Sequence, residues 1–359
     1  MAQSGFQSWA SRFFLTKGKA RREGEALFDL VSGFVYSQVL WAVVELDLLP
    51  ALLDAPADAA TLAQRHAIPP ARMAALLQAA TALGLLTRLR NSRYIASQRG
   101  AALLGVPGLA DMIRHHSVFY RDMADPLALL RGEAKTGLAE FWPYVFGAKG
   151  AVDPDITARY SALMEESQAL VAEETLRHLP LMGVRHLMDV GGGTGAFLRA
   201  VAVAYPDMHL TLFDLPVVAA VAQRRFAEEG FSIGEGARIA IHPGSFRDDP
   251  LPVGADAISL VRVLYDHTDD TVTALLAKVF EALPAGGRLI VSEPMTGGAR
   301  PNAPGDAYFA FYCMAMRTGR ARSADEIAAH LRAVGFVQIE TPSTHRPFVT
   351  GLVTARRPA

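Results

Sequence analysis

Cysteine is all but missing from this chain, with Cys313 the single example among 359 residues. One thiol excludes an intrachain disulfide and any multi-cysteine metal site. A His-Glu-x-x-His pairing is lacking too, so no metal is needed to account for the residues present. Excess charge of either sign is absent, the formal net charge being -1, which argues against a dedicated nucleic-acid binder with its basic surplus. The chain has no long uncharged apolar run and no leader with a small-residue cleavage site, and the expectation is a cytoplasmic protein. What is there is a hydrophobic fraction of 51% on a chain long enough for two cores.

The densest signal is Asp189-Val190-Gly191-Gly192-Gly193-Thr194-Gly195. Leu187 to Val190 is short and apolar, as a buried parallel strand is, and Phe197 to Ala204 resumes helix-forming residues. Glycines suit the turn between them because a Cβ would block both the bend and the approach of a ligand to the backbone. Asp214 ends the next apolar run, His209 to Phe213, at the distance expected of a ribose-hydroxyl acceptor. Two ligand classes fit. A dinucleotide would use Gly191, Gly193 and Ala196 as a loose G-x-G-x-x-G/A match, whereas S-adenosylmethionine, a sulfonium cation, gains from the carboxylate of Asp189 just before the turn.

Further strands follow at the spacing of a doubly wound sheet. Arg238 to His242 reads as a third strand, after which Gly244-Ser245-Phe246 offers a polar group and an aromatic face to an adenine. Asp256 to Leu264 reads as a fourth and runs into Tyr265-Asp266-His267. Arg288 to Ser292 is a fifth, ending in Glu293. The candidates thus collect at the C-terminal ends of strands, where open α/β sheets bind ligands. His267 has a bland reading as well, since Thr268, Asp269 and Asp270 look like the capped start of a helix.

The first half has another character. Glu25 to Leu48 has helical periodicity with a wide apolar face, and Thr61 to Leu83 followed by Leu89, Tyr94 and Ile95 reads as helix-turn-helix plus a small wing. That pattern alone suggests DNA binding, but its second helix carries Arg72, Met73, Leu76, Leu77 and Leu83 rather than a basic face. From Leu109 to Pro180 the chain is mostly helical and rich in aromatics: Phe119, Tyr120, Phe141, Trp142, Tyr144, Phe146 and Tyr160. A second group, Tyr308, Phe309, Phe311 and Tyr312 with Met314 and Met316, follows the fifth strand. These are ordinary core or the wall of an adaptable apolar tunnel. His115-His116 is a further candidate base or substrate contact, or a partly exposed pair on a helix. The start, Arg12-Phe13-Phe14-Leu15 with Lys17, Lys19, Arg21 and Arg22, is either solvated or a peripheral contact with an anionic membrane.

Asp189 to Gly195, Asp214-Leu215-Pro216, Pro284 to Glu293 and Ala324 to Gly335 resemble the small-molecule O-methyltransferases related to caffeate and acetylserotonin enzymes. Ala26 to Leu30, Gly33 to Gln38, Ala124-Asp125-Pro126, Leu130 to Glu133, Phe141 to Tyr144 and Arg262 to His267 carry a narrower likeness. It is to the bacterial carotenoid O-methyltransferases acting on 1-hydroxylated acyclic carotenoids, of demethylspheroidene or hydroxyneurosporene type. The resemblance implies an α/β fold: a Rossmann-like class I methyltransferase domain over 181–359, preceded by an all-α winged-helix-like dimerisation domain over 1–108 and a helical linker over 109–180. It implies S-adenosylmethionine as cofactor, a hydroxycarotenoid substrate and a homodimer. The donor set is then Asp189, Gly191, Gly193, Asp214, Leu215, Gly244, Ser245, Phe246 and Arg262, and Glu293 is a carboxylate that orients the catalytic base.

Two departures stand out. Ser245 replaces the usual aspartate, and Tyr265-Asp266-His267 replaces the usual His-Asp-Trp, whose histidine is the base. Histidine titrates at about 6.5 and tyrosine at about 10, so His267 is the better acceptor near neutrality. In an extended segment residues two apart share a side, which predicts His267 near the place of Tyr265, with Asp266 orienting it and Tyr265 bonding the substrate oxygen. Alternatives are methylation of an aromatic or polyketide hydroxyl, and a non-catalytic winged-helix regulator that binds a ligand.

Overall fold

A computed structural model describes residues 14–141, 168–234 and 236–359 of the chain. They divide into two compact units, Met1–Arg114 and His115–Ala359.

The first unit holds α1 (Phe14–Glu45), α2 (Leu48–Asp54), α3 (Ala59–Arg65), α4 (Pro70–Ala82), β1 (Leu86–Arg88), β2 (Tyr94–Ala96) and α5 (Gln98–Leu104). Local chemistry sets the boundaries. Asp58 accepts from the Thr61 amide to cap α3, Pro70 opens α4 where its missing N–H costs nothing, and Ser97 caps α5. Val43, Leu48, Leu52, Leu62, Met73 and Leu77 form the core. The strands pair antiparallel, with Leu86 opposite Ala96, in an otherwise helical unit. Only the C-terminal part of α1 joins the core. Upstream, Leu27, Phe28, Leu30, Val31 and Phe34 are exposed. By length and composition α1 is long and apolar enough to cross a membrane, a property its interruption by Asp29 hides from a search for uncharged runs.

The division falls inside α6 (Leu109–Asp122), past the expected boundary at residue 108. The second unit is built on a seven-stranded sheet ordered β10-β11-β7-β6-β3-β4-β5. In chain order these are β3 (His186–Val190), β4 (His209–Asp214), β5 (Ile239–Pro243), β6 (Ala257–Val261), β7 (Arg288–Glu293), β10 (Val337–Glu340) and β11 (Gly351–Arg356). The two-residue strands β8 (Met295–Thr296) and β9 (Arg322–Ser323) pair apart from them. β3 to β7 run parallel, while β11 is antiparallel to both its neighbours. Strand parity sorts the core. Met188, Ile258, Leu260 and Leu289 face one helix layer, and Leu187, Ala257, Val261 and Ile290 the other.

Those layers are α7 (Ala196–Ala204) and α8 (Pro216–Glu228) on one face, and α9 (Asp269–Ala282) and α11 (Ala324–Val334) on the other. Between β8 and β9 a π-helix over Ala303–Phe309 runs into α10 (Ala310–Met316). Trp142, Tyr144, Phe146 and Tyr160, together with Arg12 and Phe13, lie outside the described residues.

Candidate active site

β3 pairs with β4 on one side and β6 on the other, so chain order reverses between β3 and β6. A crevice opens at such a switch point, outside the carboxyl ends of the strands. The glycine turn after β3 enters it with Gly191, Gly193 and Gly195 at positive φ, and Gly195 begins α7. A Cβ on Gly193 would meet nothing within 4 Å, whereas one on Gly195 would lie 2.4 Å from the Phe226 ring. The turn is thus packed behind and open in front.

Asp189 lies fully buried beneath it. Its Oδ1 accepts from Ser259 Oγ at 2.6 Å, and its Oδ2 has no hydrogen-bond partner. Burial, partly countered by Ser259 and reinforced by Asp214, lifts its pKa to about 7. Asp214 accepts from the amides of Gly193 and Leu215, both at 2.7 Å, and burial lifts its pKa to about 6 despite them. Leu215 caps α8. Two desolvated acids and an orphaned buried acceptor suit a cationic ligand, whereas a pyrophosphate would bring like charge against both. Gly244 donates its amide to the Asp214 carbonyl at 2.8 Å. Ser245 bonds within its own turn: its amide donates to Asp249 and its hydroxyl to Asp248. Phe246 packs on the core edge.

The expected fourth strand stops at Val261, three residues early. Arg262 takes φ 57, and Leu264–Asp266 is a 3-10 turn instead of extended chain. Tyr265 and His267 therefore do not share a side, and the premise that brought His267 to the tyrosine's place is overturned. His267 has its ring 5.2 Å from Phe246 and its Nδ1 3.0 Å from Arg247. Burial and the charges of Arg247 and Arg322 drive its pKa down to about 3. Tyr265 sits with Arg262, whose guanidinium lies 5.8 Å over its ring. Asp266 joins them. Its carboxyl is hydrogen-bonded by Tyr265, its Oδ1 has no partner, and burial, opposed by Arg262 and reinforced by Glu293, raises its pKa well above the carboxylate range. Burial raises the Tyr265 hydroxyl as well, so it stays protonated.

Two buried polar side chains fix this turn, Glu293 with its pKa pushed up to about 7 by burial. Glu293 Oε1 and Oε2 accept from the amides of Leu264 and Tyr265 at 2.7 and 2.8 Å. Arg322 donates to the carbonyls of Leu264 and His267 at 2.9 and 2.8 Å, and pairs with Asp269. Gly319 presses in from outside, where a Cβ would lie 2.2 Å from the Tyr265 carbonyl. Thr268 caps α9, as its bland reading expects.

Residues 120–337 match the family profile described as O-methyltransferase domain, and 28–106 match that of the O-methyltransferase dimerisation domain. The chain belongs to the O-methyltransferase family. A demethylspheroidene O-methyltransferase of Cereibacter sphaeroides is 58% identical over 99% of this chain and 92% of its own. One of Rhodobacter capsulatus is 53% identical over 94% and 83%. Among solved structures, human N-acetylserotonin methyltransferase in complex with SAM superposes with a TM-score of 0.76 at 23% identity, covering 94% of this chain and 98% of that one. The fold is therefore that of the class I methyltransferases.

Within this O-methyltransferase, sequence reasoning missed Ser259, Arg322 and Gly319, since a lone serine in a strand, a lone arginine and a lone glycine carry no pattern. It also underrated His115, which is buried, while His116 is half-buried on the helix as expected. They bond Tyr312 and Tyr308. Among the described residues, Glu174, His178 and His345 stand close enough for a cation. Arg346 already pairs with Glu174, and His178 Nε2 accepts from the His345 amide.

Proposed function

We propose that this methyltransferase moves the methyl group of S-adenosylmethionine to the C1 tertiary hydroxyl of an acyclic hydroxycarotenoid of demethylspheroidene or hydroxyneurosporene type. The observation that carries the donor is the pair of desolvated carboxylates at an open glycine turn. The likeness to the Cereibacter enzyme over nearly the whole chain supports the substrate. When bound, the donor supplies an electrophilic methyl on a positively charged sulfur. Asp214 would hold the ribose, and Gly191, Gly193 and Asp189 the aminoacyl and sulfonium end, with Phe246 beside the adenine.

Asp266 takes the alcohol's proton as the oxygen gains its methyl. Only its ionised form can do so, and burial makes that form the stronger base while thinning its population, so kcat should climb with pH; burial and two arginines oppose protonation of His267. Tyr265 stays a hydroxyl and steadies Asp266. Glu293 and Arg322 position the turn that carries both. The dimerisation profile and the uncovered apolar face of α1 support a homodimer. A cytoplasmic location with peripheral membrane contact rests on exposed Lys19, Arg21 and Arg22 beside that face.

Calorimetric titration with donor, followed by turnover on a 1-hydroxycarotenoid, tests the reading. Methylation of phenols alone would point to an aromatic substrate, and donor binding without methylation of any alcohol to a regulator. The titration carries a pH signature. Raised folded-state values mean that folding favours the protonated acids, so their burial costs stability increasingly as pH climbs from about 4 toward 7. A cation favours the ionised form, so donor affinity should rise between pH 5 and 8, through the values of about 6 for Asp214 and about 7 for Asp189. Proton release on binding should appear below pH 7, and a flat profile would count against both contacts.

A further inference from the structure

The mechanism gives Arg262 no task, although the backbone is bent hard to place it. Its φ of 57 is left-handed, a conformation that a residue with a Cβ adopts only where the surroundings enforce it. The Arg262 amide is pinned there, donating to the Ser292 carbonyl at 2.8 Å just past the end of β6. From that point the side chain returns over the residues that follow. Its guanidinium lies 5.8 Å over the Tyr265 ring, and its Nη2 donates to the Tyr265 hydroxyl oxygen at 3.4 Å. Tyr265 in turn gives its hydrogen to the Asp266 carboxyl. A cation, a phenol and a carboxyl are thus bonded in series.

Strain of this kind collects at functional sites, and an arginine is a poor filler for such a place. Burial opposes its charge, yet Tyr265, Asp266 and Tyr312 outweigh that cost and hold its pKa above the ordinary arginine value. The guanidinium therefore stays a cation throughout the working range of the enzyme.

Resting on the assignment of Asp266 as base, we infer that Arg262 is a positioning residue, a fixed counter-ion that acts directly and through Tyr265 to keep the Asp266 carboxyl ionised for the substrate alcohol. Burial drives that carboxyl toward its protonated, inactive form, and Arg262 is the foremost influence against it, ahead of the Tyr265 hydrogen bond. The relay adds to the charge, because a phenol that accepts from a guanidinium is a stronger donor to the carboxylate. Arg262 thereby exchanges base strength for population. Rate follows base strength only fractionally but follows the ionised population in full, so the exchange gains rate wherever pH lies below the carboxyl's pKa.

The charged and titratable groups facing Asp266 are Arg262 and Tyr265 from its own turn, Glu293 from the end of β7 and Cys313 from α10. Tyr308 and Tyr312 face Arg262, and Arg322 acts on Glu293.

The test is the pH profile of kcat at saturating donor and saturating 1-hydroxycarotenoid, whose rising limb reports the carboxyl. Arg262→Gln should move the midpoint upward by about 1–3 pH units, the range for losing a close opposite charge, and lower kcat about tenfold at pH 7. On the alkaline plateau the loss should vanish. Arg262→Lys keeps the charge and should hold the midpoint near that of the unaltered enzyme. Because the arginine acts through the carboxyl, Arg262→Gln should cost nothing further on an Asp266→Asn background. A kcat lowered by one factor at every pH, a midpoint moved equally by Lys and Gln, or a further loss on that background would overturn the inference. If the limb survives in Asp266→Asn alone, the base is misassigned, which is a separate failure. Thermal melts identify misfolded variants, and Arg262→Asn, which tolerates left-handed backbone, repeats the measurement should the Gln variant not fold.

Discussion

Asp266→Asn should lower kcat by about 10²- to 10⁴-fold, the range for removal of a general base. Asparagine keeps the shape and an acceptor for Tyr265 but cannot take a proton. Donor affinity should change little, because Asp189 and Asp214 belong to a different set of hydrogen bonds. His267→Asn is the control. Its imidazole faces Phe246 and Arg247, so that substitution should act chiefly on donor affinity and cost kcat less than tenfold. If steady-state kinetics showed the reverse order, with His267 carrying the larger kcat effect, the assignment of the base to Asp266 would be lost.

Arg322→Met should be the most destabilising single change in the second unit, by about 3–5 kcal/mol, the range for breaking a buried ionic group. Its guanidinium serves two buried carbonyls and one carboxylate, and its side chain is 2% exposed. Removing it takes the buried donor from the His267 carbonyl, where such an orphan costs about 1–3 kcal/mol, and leaves the Leu264 carbonyl with the His267 amide alone. Urea unfolding should show a lowered midpoint at unchanged slope. Activity should fall further than the folded fraction, because the turn bearing Tyr265 and Asp266 loses its anchor. Arg322→Lys keeps the charge but cannot span both carbonyls and Asp269, and it should recover only part of each loss. Coincident loss of activity and of folded protein would reduce Arg322 to a structural role.

The turn over 264–267 shows where local reasoning ends. Strand parity applied to Tyr265 and His267 fails because Glu293 offers two carboxylate oxygens to the Leu264 and Tyr265 amides. That pulls the backbone into a 3-10 turn which no residue within it encodes. The partner is nearly thirty residues distant, and windowed patterns do not reach that far. His115 tells the same story, since its polarity suggests surface until Tyr312 arrives from the far side of the sheet's sequence.

By itself the sequence determined the parallel sheet, the glycine turn and the acids that end β3 and β4. Apolar period, Cβ-free backbone and strand-terminal carboxylates are local properties, written in consecutive residues. Tertiary structure alone decided which groups are desolvated and which meet. It raised Asp266 and lowered His267, because pKa follows burial and neighbours drawn from distant segments, and those exist only once the chain has closed on itself.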